Sequence, residues 1–137
     1  MSYWDNFYKN NTPEMTPWTG IQSIFFENLW KKFDLPRSGN FLDVGCGRGD
    51  KSVYFSEMGF NFWGFDISQT AIEEAQKKSA KSIFFVQDAI NIGLSKEIDG
   101  IKFDIILDLV TSQFLDKDAK KNYLAGLKNH IKSKETY

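Results

Sequence analysis

The stretch Phe41-Leu42-Asp43-Val44-Gly45-Cys46-Gly47-Arg48-Gly49-Asp50 runs from a short apolar segment directly into three alternate glycines. The apolar segment predicts a buried strand, and the residues that follow have helical spacing. Glycine permits positive φ and lets a ligand approach the backbone closely. Amides at the start of the following helix favour a negative ligand group. The same pattern fits a tight strand-to-helix turn that binds nothing, so the loop alone leaves both interpretations open.

The glycine spacing argues against two phosphate-binding motifs. In the dinucleotide motif G-x-G-x-x-G, counted from Gly45, the third glycine position is Asp50, whose carboxylate would face a pyrophosphate. Asp43 adds a second negative charge just before the loop. The P-loop pattern G-x-x-x-x-G-K-[ST] is not supported either, because Lys51 follows Asp50. The loop therefore suits a ligand with little or no phosphate charge.

Apolar runs and helical patterns alternate along the rest of the chain. We predict strands over residues 40–45, 61–66, 82–87 and 102–109, with helices from Asp50, from the N-cap Ser68 and from the N-cap Asp116. Strands that are apolar on both faces and alternate with helices predict an α/β fold, a Rossmann-like doubly wound parallel sheet.

We expect one domain over residues 1–137. It would consist of an N-terminal helical or lid segment over residues 1–36 and a βαβ core over residues 40–132. The helical pattern from Ile21 to Phe33 predicts an inward face that includes Ile24, Phe25 and Leu29. In the last helix we expect the inward face to be Ala119, Tyr123, Leu124, Leu127 and Ile131.

Four aspartates recur at or near the carboxyl end of each predicted strand: Asp43, Asp66, Asp88 and Asp108. Their separations of roughly 20 residues match one βαβ step each, so all four should lie at one edge of the sheet. Like charges that share a cleft raise one another's pKa unless a ligand compensates them. Each acid taken singly also fits a helix N-cap or a solvated strand end, but the set predicts a cationic ligand.

S-adenosylmethionine has the required chemistry, since it carries a sulfonium, an ammonium, a ribose diol and an adenine amine. We expect Asp66 to bind the ribose hydroxyls, as an acid does at the second strand of dinucleotide folds. Asp88 is placed to accept from the adenine amine, and Asp43 can face the methionine end. Asp108 reaches toward the methyl group or the acceptor, which makes it the candidate catalytic residue.

Four motifs in order resemble the class I S-adenosylmethionine-dependent methyltransferases: residues 43–49, 64–68, 86–89 and 103–108. The resemblance covers roughly residues 40–131. It implies that the cofactor contacts include the loop residues Gly45, Cys46, Gly47 and Gly49, together with Ile67, Ser68 and Ala89. The implied reaction is in-line transfer of the sulfonium methyl to a small-molecule nucleophile, with a thiol or chalcogen as the candidate acceptor.

The N-terminal aromatic residues resemble those of the thiopurine and tellurite methyltransferase branch, in which this segment folds over the cofactor. The resemblance implies that Trp18, and Tyr8 with it, lines or covers the site. The same aromatic residues could equally pack on the sheet.

The resemblance also implies a longer sheet, because the family usually has seven strands. Here the sequence stops after the fourth predicted strand and its helix, at Tyr137. The fourth strand would then be an open edge, which is an aggregation liability. Either the chain is a fragment of a longer protein, or another chain covers the edge; a homodimer is one such arrangement.

The composition excludes or disfavours several kinds of protein. The net charge of −1 argues against a dedicated nucleic-acid binder. One cysteine allows no intrachain disulfide, and one cysteine with one histidine leaves no zinc site; we assign no metal. The first residues lack a signal-peptide pattern, and no apolar run approaches the ~18 residues that span a membrane. We therefore expect a cytoplasmic protein.

Three functions remain in competition. The first is a methyltransferase acting on a small molecule with S-adenosylmethionine. The second is a shortened methyltransferase-like module that binds the cofactor or a partner without catalysis of its own. The third is a nucleotide-sugar or NAD(P)-dependent enzyme, which Asp50 disfavours.

Overall fold

The computed structural model describes residues 3–12 and 23–133. The helices are α1 (Tyr3–Asn10), α2 (Ser23–Phe33), α3 (Ser52–Met58), α4 (Gln69–Lys78) and α5 (Lys117–Lys128). The strands are β1 (Gly39–Val44), β2 (Phe60–Asp66), β3 (Ile83–Val86) and β4 (Ile105–Asp108), and 3₁₀ helices cover Ala89–Leu94, Lys96–Ile98 and Thr111–Phe114. None of the helices in the described ranges is long and apolar enough to cross a membrane.

The strands form one parallel sheet in the order β3-β2-β1-β4. Strand β1 lies in the middle, with Asp43 paired to Gly64 of β2 and to Leu107 of β4. Strand order reverses after β3, so the chain winds to both sides of β1 and the carboxyl ends of all four strands meet at one edge. This confirms the predicted Rossmann-like parallel sheet.

Alternate residues of the strands pack on the two faces of the sheet. On one face Phe41 and Phe62 pack against Phe55 of α3, and Trp30 of α2 stacks on Phe41 at a centroid distance of 6.3 Å. On the other face Leu42, Val44, Phe65 and Phe103 surround Tyr123 of α5. Both faces are therefore covered, as the two-sided apolar strands predict.

The predicted helix caps are present. Ser68 accepts a hydrogen bond from the Ala71 amide at 3.1 Å, and Asp116 accepts one from the Ala119 amide at 2.8 Å. Gly59 follows α3 with a φ of +127°, a conformation that favours glycine at a helix end.

The inward faces of two helices differ from the prediction. Helix α2 buries Phe26 and Trp30, whereas Ile24, Phe25 and Phe33 remain exposed. The packing of Phe26 and Trp30 against α3 and β1 determines which face of α2 points inward. The widest apolar stripe of the helix does not.

Helix α5 is rotated as well. Tyr123 is buried and Leu127 packs against the core, as expected, and Gly126 is buried as well. Leu124 is 56% exposed, and Ile131, beyond the end of the helix, is 41% exposed. Gly126 lies against the backbone of Gly93, so close that a Cβ at Gly126 would lie 2.7 Å from the Gly93 nitrogen. This close approach fixes the face that α5 presents to the sheet.

Strand β4 is also shorter than predicted, because Lys102 and Phe103 do not join it. The Phe103 amide instead donates to the His130 carbonyl at 2.7 Å, and the Lys132 amide donates to the Phe103 carbonyl at 2.9 Å. Phe103 therefore forms an isolated parallel bridge with Ile131, just after α5.

Candidate functional site

A cavity of about 310 Å³ opens at the carboxyl edge of the sheet. Five of the predicted site residues line it: Gly45, Asp66, Ile67, Asp88 and Ala89. They come from the ends of β1, β2 and β3, which the parallel topology brings together. Trp18 lies outside the described residues.

Asp66 is the most constrained side chain of the cavity. Its Oδ2 accepts from the Gly47 amide and its Oδ1 accepts from the Ser68 amide, each at 3.0 Å. Only 7% of the residue is exposed. Burial raises the pKa of this carboxyl above its usual value, although the amides of Ser68, Gly47 and Ile67 act against the rise. The carboxylate is therefore held rigidly, with lone pairs left for a further donor.

Three amides of the glycine loop are already used within the protein. The Cys46 amide donates to the Phe65 carbonyl, the Gly47 amide to Asp66 and the Gly49 amide to the Cys46 carbonyl. A phosphate group needs such amides free and pointing at it. The loop therefore has fewer amides to offer a phosphate, which agrees with the interpretation drawn from the glycine spacing.

At Gly45 the glycine loop lies very close to Thr111, in the turn after β4. Its φ is +68°, and a Cβ there would lie 2.0 Å from Thr111 Oγ1. Any other residue would combine backbone strain with a steric overlap. The missing side chain therefore lets Thr111, in the turn after β4, pack directly against the end of β1.

Asp88 lies beyond the end of β3 and opens the 3₁₀ helix Ala89–Leu94. Its Oδ1 accepts from the Ile90 amide at 3.1 Å, which fixes the carboxyl group beside the cavity wall formed by Ala89 and Ile90. Among the described residues, the charged side chains that line the cavity are Asp66 and Asp88, both acids. The cavity favours a ligand that brings hydrogen-bond donors or positive charge.

Asp43 lies at the same sheet edge but does not line the cavity. It is 1% exposed, and Lys51 Nζ is 3.3 Å from its Oδ2. Burial raises the pKa of Asp43 to about 6, the ion pair with Lys51 lowers it, and the charges of Asp66 and Asp108 add to the rise. Burial lowers the pKa of the Lys51 amine, but Asp43 more than offsets this and leaves it above its usual value. The negative charge expected to face the methionine end is therefore paired within the protein.

Asp108 occupies a different place from the one expected. Its Oδ2 accepts from the Tyr123 hydroxyl at 2.6 Å, its Oδ1 from the Ser112 amide at 3.3 Å, and it lines a separate cavity beside α5. The register explains the difference: Asp108 pairs with Val44, one residue after Asp43, so its side chain leaves from the opposite face of the sheet. The geometry does not bring Asp108 to the cavity that holds Asp66.

Three further predicted contact residues are Cys46 and Gly49, in the glycine loop, and Ser68, at the start of α4. Cys46 is buried against Gly64 of β2, and burial raises the pKa of its thiol well above the usual value. Gly49 approaches Ala75 of α4, where a Cβ would lie 2.9 Å from the Ala75 Cβ. Ser68 caps α4. These residues shape the cavity without lining it.

Asp50 lies on the surface of the protein, outside the cavity. It is exposed and paired with Lys78, so its charge does not face the cavity. The argument against a pyrophosphate therefore rests on the occupied amides and the acidic lining, rather than on Asp50.

Several cavity residues were not predicted. They are Trp4 and Phe65, and Gln87 and Ile90 around the end of β3, together with Val110, Thr111, Gln113, Phe114 and Leu115 after β4. Tyr8, which the resemblance had suggested, is buried and lines the cavity. The aromatic crowding before β1 is the sequence signal that could have indicated Trp4. No pattern in the sequence distinguishes the residues after β4.

Within the described residues, no group of three or more His, Cys, Asp or Glu side chains could hold a metal ion.

Comparison with known proteins identifies the family of this chain. Residues 41–134 match a family described as a methyltransferase domain. The putative methyltransferase YqeM of Bacillus subtilis is 34% identical over 82 residues, which are 57% of this chain and 31% of that protein. The probable S-adenosyl-L-methionine-dependent methyltransferase TehB of Haemophilus influenzae is 27% identical over 92 residues, 65% of this chain and 31% of that protein.

A solved structure that concerns the conversion of a disulfide bond into a thioacetal group during echinomycin biosynthesis superposes with a TM-score of 0.75. Its identity is 25%, and the match covers 93% of this chain and 55% of that one. This chain spans about a third of the length of the curated relatives named here. Because the domain match begins in β1 and takes in the glycine loop and all four strand-end acids, this chain belongs to the class I S-adenosylmethionine-dependent methyltransferases.

Proposed function

We propose that this chain binds S-adenosylmethionine in the cavity at the sheet edge and transfers its methyl group to a small-molecule acceptor. The observation that carries the proposal is the Asp66 carboxylate, which two amides hold at 3.0 Å in the lining of a cavity where Asp88 is the other charged residue among those described. An acidic cavity whose loop amides are occupied suits a cationic nucleoside better than a diphosphate.

The residues of the cavity fit the parts of this cofactor. Asp66 can accept from both ribose hydroxyls, and Asp88 can accept from the adenine amine. Ile67, Ala89 and Ile90 supply apolar surface for a flat base. Trp4 and Tyr8 close the opposite side and reduce access of water.

The bound cofactor supplies the electrophilic methyl group. The residues of this chain contribute binding, alignment and exclusion of water, which are the protein's main tasks in an in-line transfer. Asp108 is hydrogen-bonded to Tyr123 on the other face of the sheet, so the geometry gives it no part as a base at this cavity. A soft nucleophile, which needs no base, is the acceptor type that agrees best with such a site.

We propose a thiol or chalcogen acceptor within this class. The structural neighbour with a TM-score of 0.75 belongs to a study of a disulfide converted into a thioacetal, which is chemistry at sulfur. The similarity to TehB over 92 residues also supports the branch that includes the tellurite methyltransferases.

Calorimetry with S-adenosylhomocysteine and with NAD⁺ tests the cofactor. We expect binding of the first and none of the second, and the reverse result would overturn the proposal. Transfer of tritium from labelled S-adenosylmethionine to small thiols, to tellurite and to protein acceptors then tests the reaction. Cofactor binding without transfer to any acceptor would favour the alternative of a binding module.

A further inference from the structure

Arg48, inside the glycine loop, has an environment unlike that of a surface arginine. Only 3% of the residue is exposed. Its Nε forms an ion pair with Glu74 of α4, and its Nη2 donates to the carbonyls of Tyr8, at 3.1 Å, and of Asn11. One guanidinium thus joins the glycine loop, α4 and the end of α1.

The two carbonyls lie in the last turn of α1 and just beyond it. Carbonyls at a helix C-terminus have no partner within the helix and carry the negative end of its dipole. Arg48 therefore caps α1 from a distant part of the chain. Its guanidinium also lies over the Tyr8 ring, 4.9 Å from the ring centroid, which adds a cation–π contact.

The first turn of α1 is held at a second point. Asp5 Oδ1 accepts from the Ser68 hydroxyl and from the Thr70 amide, both at 2.9 Å. These donors belong to the N-terminus of α4, which follows the cavity residues Asp66 and Ile67. Helix α1 is thus fastened at its start by Asp5 and at its end by Arg48.

Two residues of the helix held in this way, Trp4 and Tyr8, line the cavity. Trp4 also contacts Phe114 edge-to-face at 5.2 Å, so α1 reaches from the α4 side to the turn after β4. Arg48 itself does not line the cavity. It acts on the cavity through the backbone and ring of Tyr8.

We propose that Arg48 is a positioning residue that holds α1 as one wall of the cofactor cavity and thereby sets how fast the nucleoside is released. The inference rests on the proposed function, because it assigns the cavity to S-adenosylmethionine.

The experiment compares Arg48→Gln and Arg48→Lys with the matched surface variant Arg37→Gln, whose partner Glu27 lies 4.0 Å away on α2. Stopped-flow measurements follow the release of S-adenosylhomocysteine, and tryptic cleavage after Lys9 reports on α1 without any ligand. We expect Arg48→Gln to release the ligand about tenfold faster and to be cleaved faster after Lys9. Arg48→Lys keeps the charge but not the fork of donors, so it should be intermediate, and Arg37→Gln should stay within about twofold of wild type.

A folded Arg48→Gln protein with wild-type release and wild-type cleavage after Lys9 would overturn the inference. Should that variant fail to fold, Glu74→Gln loosens the guanidinium without removing it, and unchanged release in that variant would have the same consequence. If the wild-type chain binds no S-adenosylhomocysteine, the proposed function fails. Cleavage after Lys9 still decides separately whether Arg48 anchors α1.

Discussion

Tyr123 donates its hydroxyl hydrogen to Asp108 Oδ2 at 2.6 Å, and this contact places the last of the four strand-end acids on the α5 side of the sheet. Tyr123 is 1% exposed, and burial, followed by the bond to Asp108, raises the pKa of its hydroxyl. The bond therefore joins β4 to α5 inside the core. Its role is to fix the helix against the strand end.

Tyr123→Phe should destabilise the protein, because it leaves a part-buried carboxylate oxygen without its donor. We expect a loss of about 1–3 kcal/mol in the free energy of unfolding, measured with urea. Tyr54→Phe is the matched control, since Tyr54 donates to the partly exposed Glu27 at 3.0 Å and should cost less. Affinity for S-adenosylhomocysteine should remain within about twofold; a large loss would place Asp108 at the cofactor after all.

Asp66→Asn should weaken the binding of S-adenosylhomocysteine at least tenfold, because it removes the charge and leaves a single acceptor atom where two amides and the ligand compete. Asp88→Asn should have a smaller effect, since Asp88 is less buried. Isothermal titration calorimetry measures both. Asp50→Asn is the control, as Asp50 is exposed and paired with Lys78; equal losses in all three variants would contradict the assigned site.

Gly45→Ala and Gly100→Ala separate backbone strain from steric overlap. Both glycines have positive φ, +68° and +75°, but a Cβ at Gly45 would overlap Thr111 Oγ1, whereas a Cβ at Gly100 would meet nothing within 4 Å. We expect Gly100→Ala to cost about 1–2 kcal/mol from strain alone. Gly45→Ala should cost clearly more in chemical unfolding, and equal costs would show that the turn after β4 can move aside.

Asp43 should make stability depend on pH in an unusual direction. Its pKa rises from an ordinary 3.8 to about 6 because it is buried, so the folded protein holds this proton more tightly than the unfolded chain does. The stabilisation that comes from this tighter proton binding is complete below pH 4 and is lost as pH rises through 6. The difference in unfolding free energy between wild type and Asp43→Asn, measured from pH 4 to pH 7, should follow this decline. No such decline should appear when Asp50→Asn replaces Asp43→Asn in the comparison.

Cys46 should be unreactive in the folded protein. It is 3% exposed, and burial raises the pKa of its thiol, with a further contribution from Asp43 and Asp66. Only the thiolate attacks a disulfide reagent. Labelling with such a reagent should therefore occur at the rate of unfolding, and rapid labelling of the native protein would contradict the buried position.

The strand and helix pattern and the carboxyl-edge position of Asp66 and Asp88 follow from local sequence. Periodicity, the glycine loop and the caps at Ser68 and Asp116 act over a few residues, so they can be recognised without a structure. The spacing of the acids placed them at one edge because parallel strands end together.

Contacts between distant segments decided the rest. The register of β4 against β1 turned Asp108 toward Tyr123, the close approach of Gly126 to Gly93 set the rotation of α5, and Lys51 neutralised Asp43. Arg48 gained its partners on α1 from residues about 40 positions earlier in the chain. Such pairings depend on three-dimensional packing and leave no periodic signal, so only the tertiary structure could reveal which acids face the ligand and what holds the cavity closed.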